Sequence, residues 1–293
     1  MSMPYGLGSV RDVVAVVTGA ASGIGRATAR ALAAKGAALG LADIDEVGLA
    51  RVVEELRKAG TKVAARKTNV AEEVEVQAFA QAVEASLGPV ELLVNCAGLV
   101  VIGDFLATSS DDLALLFDVN VKGAAYACRA FAPGMLKRGR GQIVNVASAA
   151  AFTTPGGLAA YGATKHALRG FSDGLRDELA EHGVGVAVVC PGFVDTRIAE
   201  NARVRAHADV DIEAERRRIA SFLRGRGLSA ERVAARIVRA AERGETLIPV
   251  GIEAHVLYAL SRFAPRVVPA LFGAVRRRVA RERRGDQKRP RPT

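Results

Sequence analysis

Short apolar runs alternate with helix-length segments along this chain, and that alternation limits its fold more than any other feature. The runs lie at 13–18 (VVAVVT), 38–43 (ALGLAD), 62–68 (KVAARKT), 91–96 (ELLVNC), 142–147 (QIVNVA), 184–190 (VGVAVVC) and 246–250 (TLIPV). Several are apolar at every position, as strands covered on both faces must be. Helical patterns fill the gaps near 24–35, 45–59, 72–87, 109–137, 158–182 and 229–242. Such alternation implies right-handed crossovers and an α/β, doubly wound parallel sheet of about seven strands with helices on both faces. Residues 1–250 form that domain in this reading. Residues 251–293 form a basic, amphipathic C-terminal extension whose end is expected to be disordered.

The formal charge is +10, but 30 basic and 29 acidic residues precede position 262, so the body is near neutral. Residues 262–293 carry eleven Arg and Lys against Glu282 and Asp286. A neutral body argues against a nucleic-acid-binding protein and confines the question of a polyanionic partner to the tail. Within the extension, Ile252, Val256, Leu260, Phe263, Val267, Leu271, Val275 and Val279 recur in steps of three and four and trace one helical face. Pro265 and Pro269 interrupt that pattern, which predicts a kink or two short helices. Three readings compete: a helix packed on its own domain or a sister subunit, peripheral membrane contact through residues 252–284, and nucleic-acid binding, against which stand the lack of aromatic interleaving, of a recognition fold and of a wider basic face. No 18-residue apolar span and no signal peptide stand out, so a cytoplasmic protein is expected. Cys96, Cys128 and Cys190 have no metal-ligand spacing and read as buried thiols in a reducing compartment.

Three clusters carry chemistry. The first strand runs into TGAASGIG, where Gly19, Gly23 and Gly25 permit a tight turn and close approach of a ligand to the backbone. The following helix would aim its free N–H groups and positive dipole end at a pyrophosphate. Asp43 ends the second strand, placed to accept hydrogen bonds from an adenine ribose and to repel a 2′-phosphate, which favours NAD over NADP. Its alternative role is an N-cap for the next helix, and Arg26 is a mild signal for NADP. In YGATK, Tyr161 and Lys165 stand one helical turn apart on one face. A neighbouring ammonium is expected to lower the phenol's ordinary pKa of about 10, making Tyr161 a proton donor or acceptor. Ser148, ending a strand, would orient a substrate oxygen. Asn120 sits inside a helical pattern where its propensity is poor, which suggests a local kink or a held water.

Together these residues resemble the short-chain dehydrogenase/reductase family from about Val13 to Val250. The resemblance implies a Rossmann-type fold, a catalytic tetrad of Asn120, Ser148, Tyr161 and Lys165, and a water held by Asn120 that links Lys165 to solvent. It also implies the cofactor contacts. Gly19, Ser22, Gly23, Ile24 and Gly25 come from the first turn, followed by Asp43. Asn69 and Val70 come from TNV, where Asn69 replaces the family's usual Asp. Asn95, Ala97 and Gly98 come from NCAG, where Cys96 replaces a second Asn. Pro191, Gly192, Val194 and Thr196 come from PGFVDT, and Tyr161 and Lys165 would hold the nicotinamide ribose.

The expected substrate wall is apolar: Leu99, Val100, Val101, Ala149, Ala150, Phe152 and Phe193, with a lid over 197–228. This reading is an NAD-dependent dehydrogenase acting on a lipophilic alcohol or ketone, and a homodimer or homotetramer, with no bound metal. The alternatives are an NADP-dependent carbonyl or 3-oxoacyl reductase and a non-catalytic dinucleotide sensor.

Overall fold

The computed structural model describes residues 5–195, 202–205, 227–268, 270 and 272–273. Its main sheet has seven parallel strands in the order β3-β2-β1-β4-β6-β7-β9. These are β1 (Val14–Thr18), β2 (Ala38–Asp43), β3 (Val63–Lys67), β4 (Leu92–Asn95), β6 (Gly141–Val146), β7 (Val184–Pro191) and β9 (Leu247–Val250). Every residue of β1, β4, β6 and β7 is buried, as the unbroken apolar runs require of strands covered on both sides. The Rossmann-type sheet is therefore present as the sequence predicts.

Helices α1 (Gly23–Ala34), α2 (Glu46–Lys58) and α7 (Ala230–Arg243) cover one face. Leu32, Leu49, Leu56 and Ile237 fill the core beneath them. Helices α3 (Glu73–Leu87), α5 (Gly123–Arg138) and α6 (Ala159–Ala180) cover the other, where Phe79 meets Phe131 edge-on at 6.1 Å. The strand order turns outward from β1 in both directions, so a crevice opens at the C-terminal ends of β1 and β4.

Four features depart from the sequence reading. The expected long helix over 109–137 is three pieces: α4 (Ser110–Phe117), a π turn at Asp118–Lys122, and α5. A second, two-stranded sheet joins β5 (Val101–Gly103) to β8 (Arg203–Arg205), and neither strand was anticipated. Ser148 lies two residues beyond β6 rather than at its end. Finally, α8 (Ile252–Phe263) packs through Ala254, Leu257 and Tyr258, while the apolar stripe points outward, with Ile252 81% and Phe263 80% exposed. The chain turns at Ala264–Arg266 and is helical again at Val267. Most of the expected lid, and the basic run beyond residue 273, lie outside the described residues.

Candidate active site

The glycine turn is built by backbone contact. Gly19 has φ +67°, and a Cβ there would lie 2.8 Å from the Ala97 backbone. A Cβ on Gly25 would collide with the Gly19 carbonyl oxygen. Both positions therefore exclude side chains, and the turn closes against the NCAG segment, where Ala97 N–H donates to Thr18 Oγ1 at 3.2 Å. Ser22 is the N-cap of α1 but makes no side-chain cap bond, and no acid stands in the first turn. That leaves a helix N-terminus with a positive dipole end and no side-chain anion to neutralise it.

Asp43 does not cap α2. Asp45 does, accepting from Gly48 N–H at 3.0 Å. Asp43 instead accepts from Ala21 N–H at 2.8 Å and Asp45 N–H at 2.9 Å, which fixes its carboxylate beside the glycine turn. The cradle, the uncapped dipole and the fixed carboxylate fit the diphosphate and ribose of a dinucleotide. Asn69 Oδ1 is engaged locally with Ala71 N–H at 3.1 Å, and Val70 is buried against Gly123. Asn95 turns its amide away from the crevice into the core, donating to Asn145 Oδ1 at 2.8 Å. Any contact it makes with a cofactor would come from its backbone.

Asn120, Ser148, Tyr161 and Lys165 converge from the π turn, the loop after β6, and α6. Asn120 is buried. Its Oδ1 accepts from Leu99 N–H at 2.9 Å, and its Nδ2 donates to Leu99 O and to Thr164 Oγ1, each at 3.0 Å. The unfavourable Asn thus ties the loop after β4 to α6, and the π turn is the kink its propensity suggested. Lys165 is buried and donates to Val146 O at 3.1 Å, with its ammonium 5.7 Å from the Tyr161 ring centroid. Gly98 keeps this spot open: a Cβ there would lie 3.1 Å from Asn120 Oδ1 and 3.5 Å from Lys165 Nζ. Ser148 Oγ accepts from Ala150 N–H at 3.1 Å and lies beside the Tyr161 phenol.

The electrostatics correct one expectation. Burial pushes the Tyr161 phenol up to about 12, opposed by the neighbouring Ser148 hydroxyl. Burial also pushes the Lys165 ammonium down to about 8. Within the protein's own groups, desolvation outweighs any lowering of the phenol by the lysine, because the same dry surroundings disfavour both charged forms. The cysteine thiols likewise rise to about 12 through burial, although Cys96 is partly exposed at its surface.

Pro191 ends β7, and Gly192 N–H donates to Val250 O at 2.9 Å. Val194 bridges to Leu228. Phe193 N–H donates to Glu253 Oε1 at 3.0 Å, a contact from α8 that no sequence signal announced. Thr196 lies outside the described residues. Of the expected substrate wall, Leu99 and Val101 share an apolar cluster with Tyr161. Ala149 and Phe152 instead pack beneath α8, with the Phe152 ring 5.1 Å from Tyr258.

Residues 13–206 match the family model described as short chain dehydrogenase. The probable oxidoreductase EphD of Mycobacterium tuberculosis is 37% identical over 92% of the chain, which spans only 45% of that relative's length. Estradiol 17-beta-dehydrogenase 11 of Rattus norvegicus is 36% identical over 66% of each chain. Among solved structures, a short-chain dehydrogenase/reductase from Burkholderia phymatum in complex with NAD superposes with a TM-score of 0.79 at 36% identity, covering 90% of this chain and 96% of that one. With the matching family model, these relatives and the seven-stranded sheet, the chain belongs to the short-chain dehydrogenase/reductase family of NAD(P)-dependent oxidoreductases.

Proposed function

We propose that this protein is an NAD-dependent dehydrogenase that interconverts a lipophilic alcohol and its ketone or aldehyde. The observation that carries the reading is the convergence of Ser148, Tyr161 and Lys165 at the strand ends, with the Ser148 hydroxyl beside the phenol and the Lys165 ammonium 5.7 Å from its ring centroid. Bound NAD would accept a hydride from the alcohol carbon, or return it in the reverse direction. Tyr161 takes the hydroxyl proton during oxidation and donates a proton to the carbonyl oxygen during reduction. Ser148 orients that oxygen. The Lys165 ammonium, once the phenol loses its proton, stabilises the phenolate it faces. Asn120 holds Leu99 and Thr164 in place around the pair and, in this reading, keeps a water in contact with Lys165.

Preference for NAD is supported by Asp43, whose carboxylate would repel a 2′-phosphate. A lipophilic substrate is supported by Leu99 and Val101 beside Tyr161, and by the steroid named for the rat relative. A panel of 2-alkanols, steroids and sugars, run with NAD and NADP, tests the proposal. Fast turnover of long 2-alkanols or steroids with NAD is expected, and sugars turned over far faster would overturn the substrate class.

Assembly into a homodimer or homotetramer belongs to the same reading, and sedimentation equilibrium should give a mass of two or four chains. So does peripheral membrane contact through 252–284. It is supported by the outward Ile252, Val256, Phe263 and Val267 together with the basic residues that follow. No helix among the described residues is long and apolar enough to cross a membrane. Anionic vesicles should sediment the full chain and lose it when Ile252 and Phe263 become Ser. Equal recovery of both proteins would exclude the contact.

A further inference from the structure

Asp112 lies on α4, one helix away from the tetrad, and is only 2% exposed. Its carboxylate accepts from Arg205 Nε at 2.6 Å, Arg205 Nη2 at 3.1 Å and Arg203 Nη1 at 3.0 Å. Both arginines belong to β8, a strand of three residues. The alternation of a strand explains the arrangement. Arg203 and Arg205 point to one side and reach Asp112, while Ala202 and Val204 are buried.

A three-residue parallel pair is too short to hold itself in water. Here β8 gains a charge-assisted fork on a shielded carboxylate. The two guanidiniums hold the Asp112 carboxyl down at about 2. Backbone contacts extend the join: Arg203 N–H donates to Val100 O at 3.1 Å, and Asp104 N–H donates to Arg205 O at 3.2 Å. Gly103 is obligatory there, since a Cβ would collide with the Arg205 carbonyl.

The joined elements are those that surround Tyr161. Val101 of β5, Leu113 and Leu116 of α4, and Ala160 of α6 form one apolar cluster with Leu99 and Tyr161. Beside the crevice, Asp195 N–H donates to Leu228 O at 2.9 Å. Among the described residues between Asp195 and Gly227, β8 is fastened to the Tyr161 side.

We propose that Asp112, Arg203 and Arg205 form a clasp that positions the apolar wall beside Tyr161 and so sets how tightly substrate is held. They are positioning residues that touch neither substrate nor cofactor. The inference rests on the reading of Tyr161 as the proton-transferring group.

The test uses the full chain at saturating NAD and the 2-alkanol, from butanol to tetradecanol, that the wild type oxidises fastest. Asp112→Asn should raise KM about tenfold, the factor that ~1.4 kcal/mol of lost binding gives. It should leave kcat within about twofold and the NAD Kd unchanged. Arg205→Gln should follow with a smaller rise and Arg203→Gln with the smallest, matching two contacts against one, while Asp112→Glu should restore part of the loss. Hydrogen exchange at 100–104 and 202–205 should quicken in Asp112→Asn, with the main sheet still protected. Unchanged KM in Asp112→Asn and Arg205→Gln overturns the proposal, as does a joint fall in kcat, NAD affinity and Tm. If the wild type oxidises no 2-alkanol, the proposed substrate class fails and exchange decides the clasp: faster exchange confined to those two segments supports it, and unchanged exchange overturns it.

Discussion

On the β1–β2 side of the crevice the backbone makes the decisive contacts, whereas on the β6–β7 side they come from side chains far apart in sequence. Gly19 and Gly25 admit no Cβ because carbonyls and amides crowd them. Across the crevice, Glu253 reaches Phe193 from α8, Arg205 reaches Asp112 over 93 positions, and Tyr258 packs tilted against Phe152. A backbone-built turn tolerates almost no substitution. A wall built by side chains can be retuned one contact at a time. The first suits a shared, invariant ligand such as a dinucleotide, and the second suits a substrate that differs between relatives.

Substitutions that probe this contrast should rank accordingly. Gly25→Ala should have the largest effect, weakening NAD by at least ~100-fold, about 2.7 kcal/mol, because its Cβ would meet the fixed Gly19 carbonyl. Isothermal titration measures this, and a change below threefold would mean the turn can open. Asp43→Ala should come next, costing NAD roughly tenfold while improving NADP, as parallel titrations would read. Glu253→Ala should cost less on the side-chain-built half. Loss of its bond to Phe193 N–H is worth about 1 kcal/mol, or roughly fivefold in KM for NAD. A rise of 100-fold there would show the two halves to be equally intolerant.

The last effect is not on binding but on stability against pH. The folded pKa of Lys165, about 8, lies below its ordinary value near 10.4. The folded state therefore binds fewer protons than the unfolded chain between those values, and this group's contribution makes stability rise with pH across that window. Lys165→Met should remove the rise in Tm between about pH 8 and 10. An identical pH profile in the variant would contradict the burial argument.

The same contrast explains what the sequence made legible. The sheet could be read because fully covered strands need unbroken apolar runs, and the glycine turn because φ and close approach demand residues without side chains. Asn120 was legible through a conflict: a poor helix former within a helical pattern marked the π turn. The β5–β8 join was not legible, since three-residue strands separated by about a hundred positions leave no periodicity to detect. Glu253 was hidden for a related reason, because a single carboxylate near a helix start reads as ordinary dipole complementarity. The apolar stripe of the extension was legible as a stripe, but not its direction. Ala254, Leu257 and the tilted Tyr258 ring, rather than the aliphatics of the stripe, meet the core.

The central claim is that Tyr161 transfers the proton while the glycine turn and Asp43 hold NAD independently of it. Tyr161→Phe keeps the ring and removes only the hydroxyl, so kinetics and NAD titration on that one variant separate the two roles. In Tyr161→Phe, kcat/KM should fall about 1,000-fold, within the range for loss of a general acid–base, while the NAD Kd stays within about twofold. Retained turnover in Tyr161→Phe would contradict the claim.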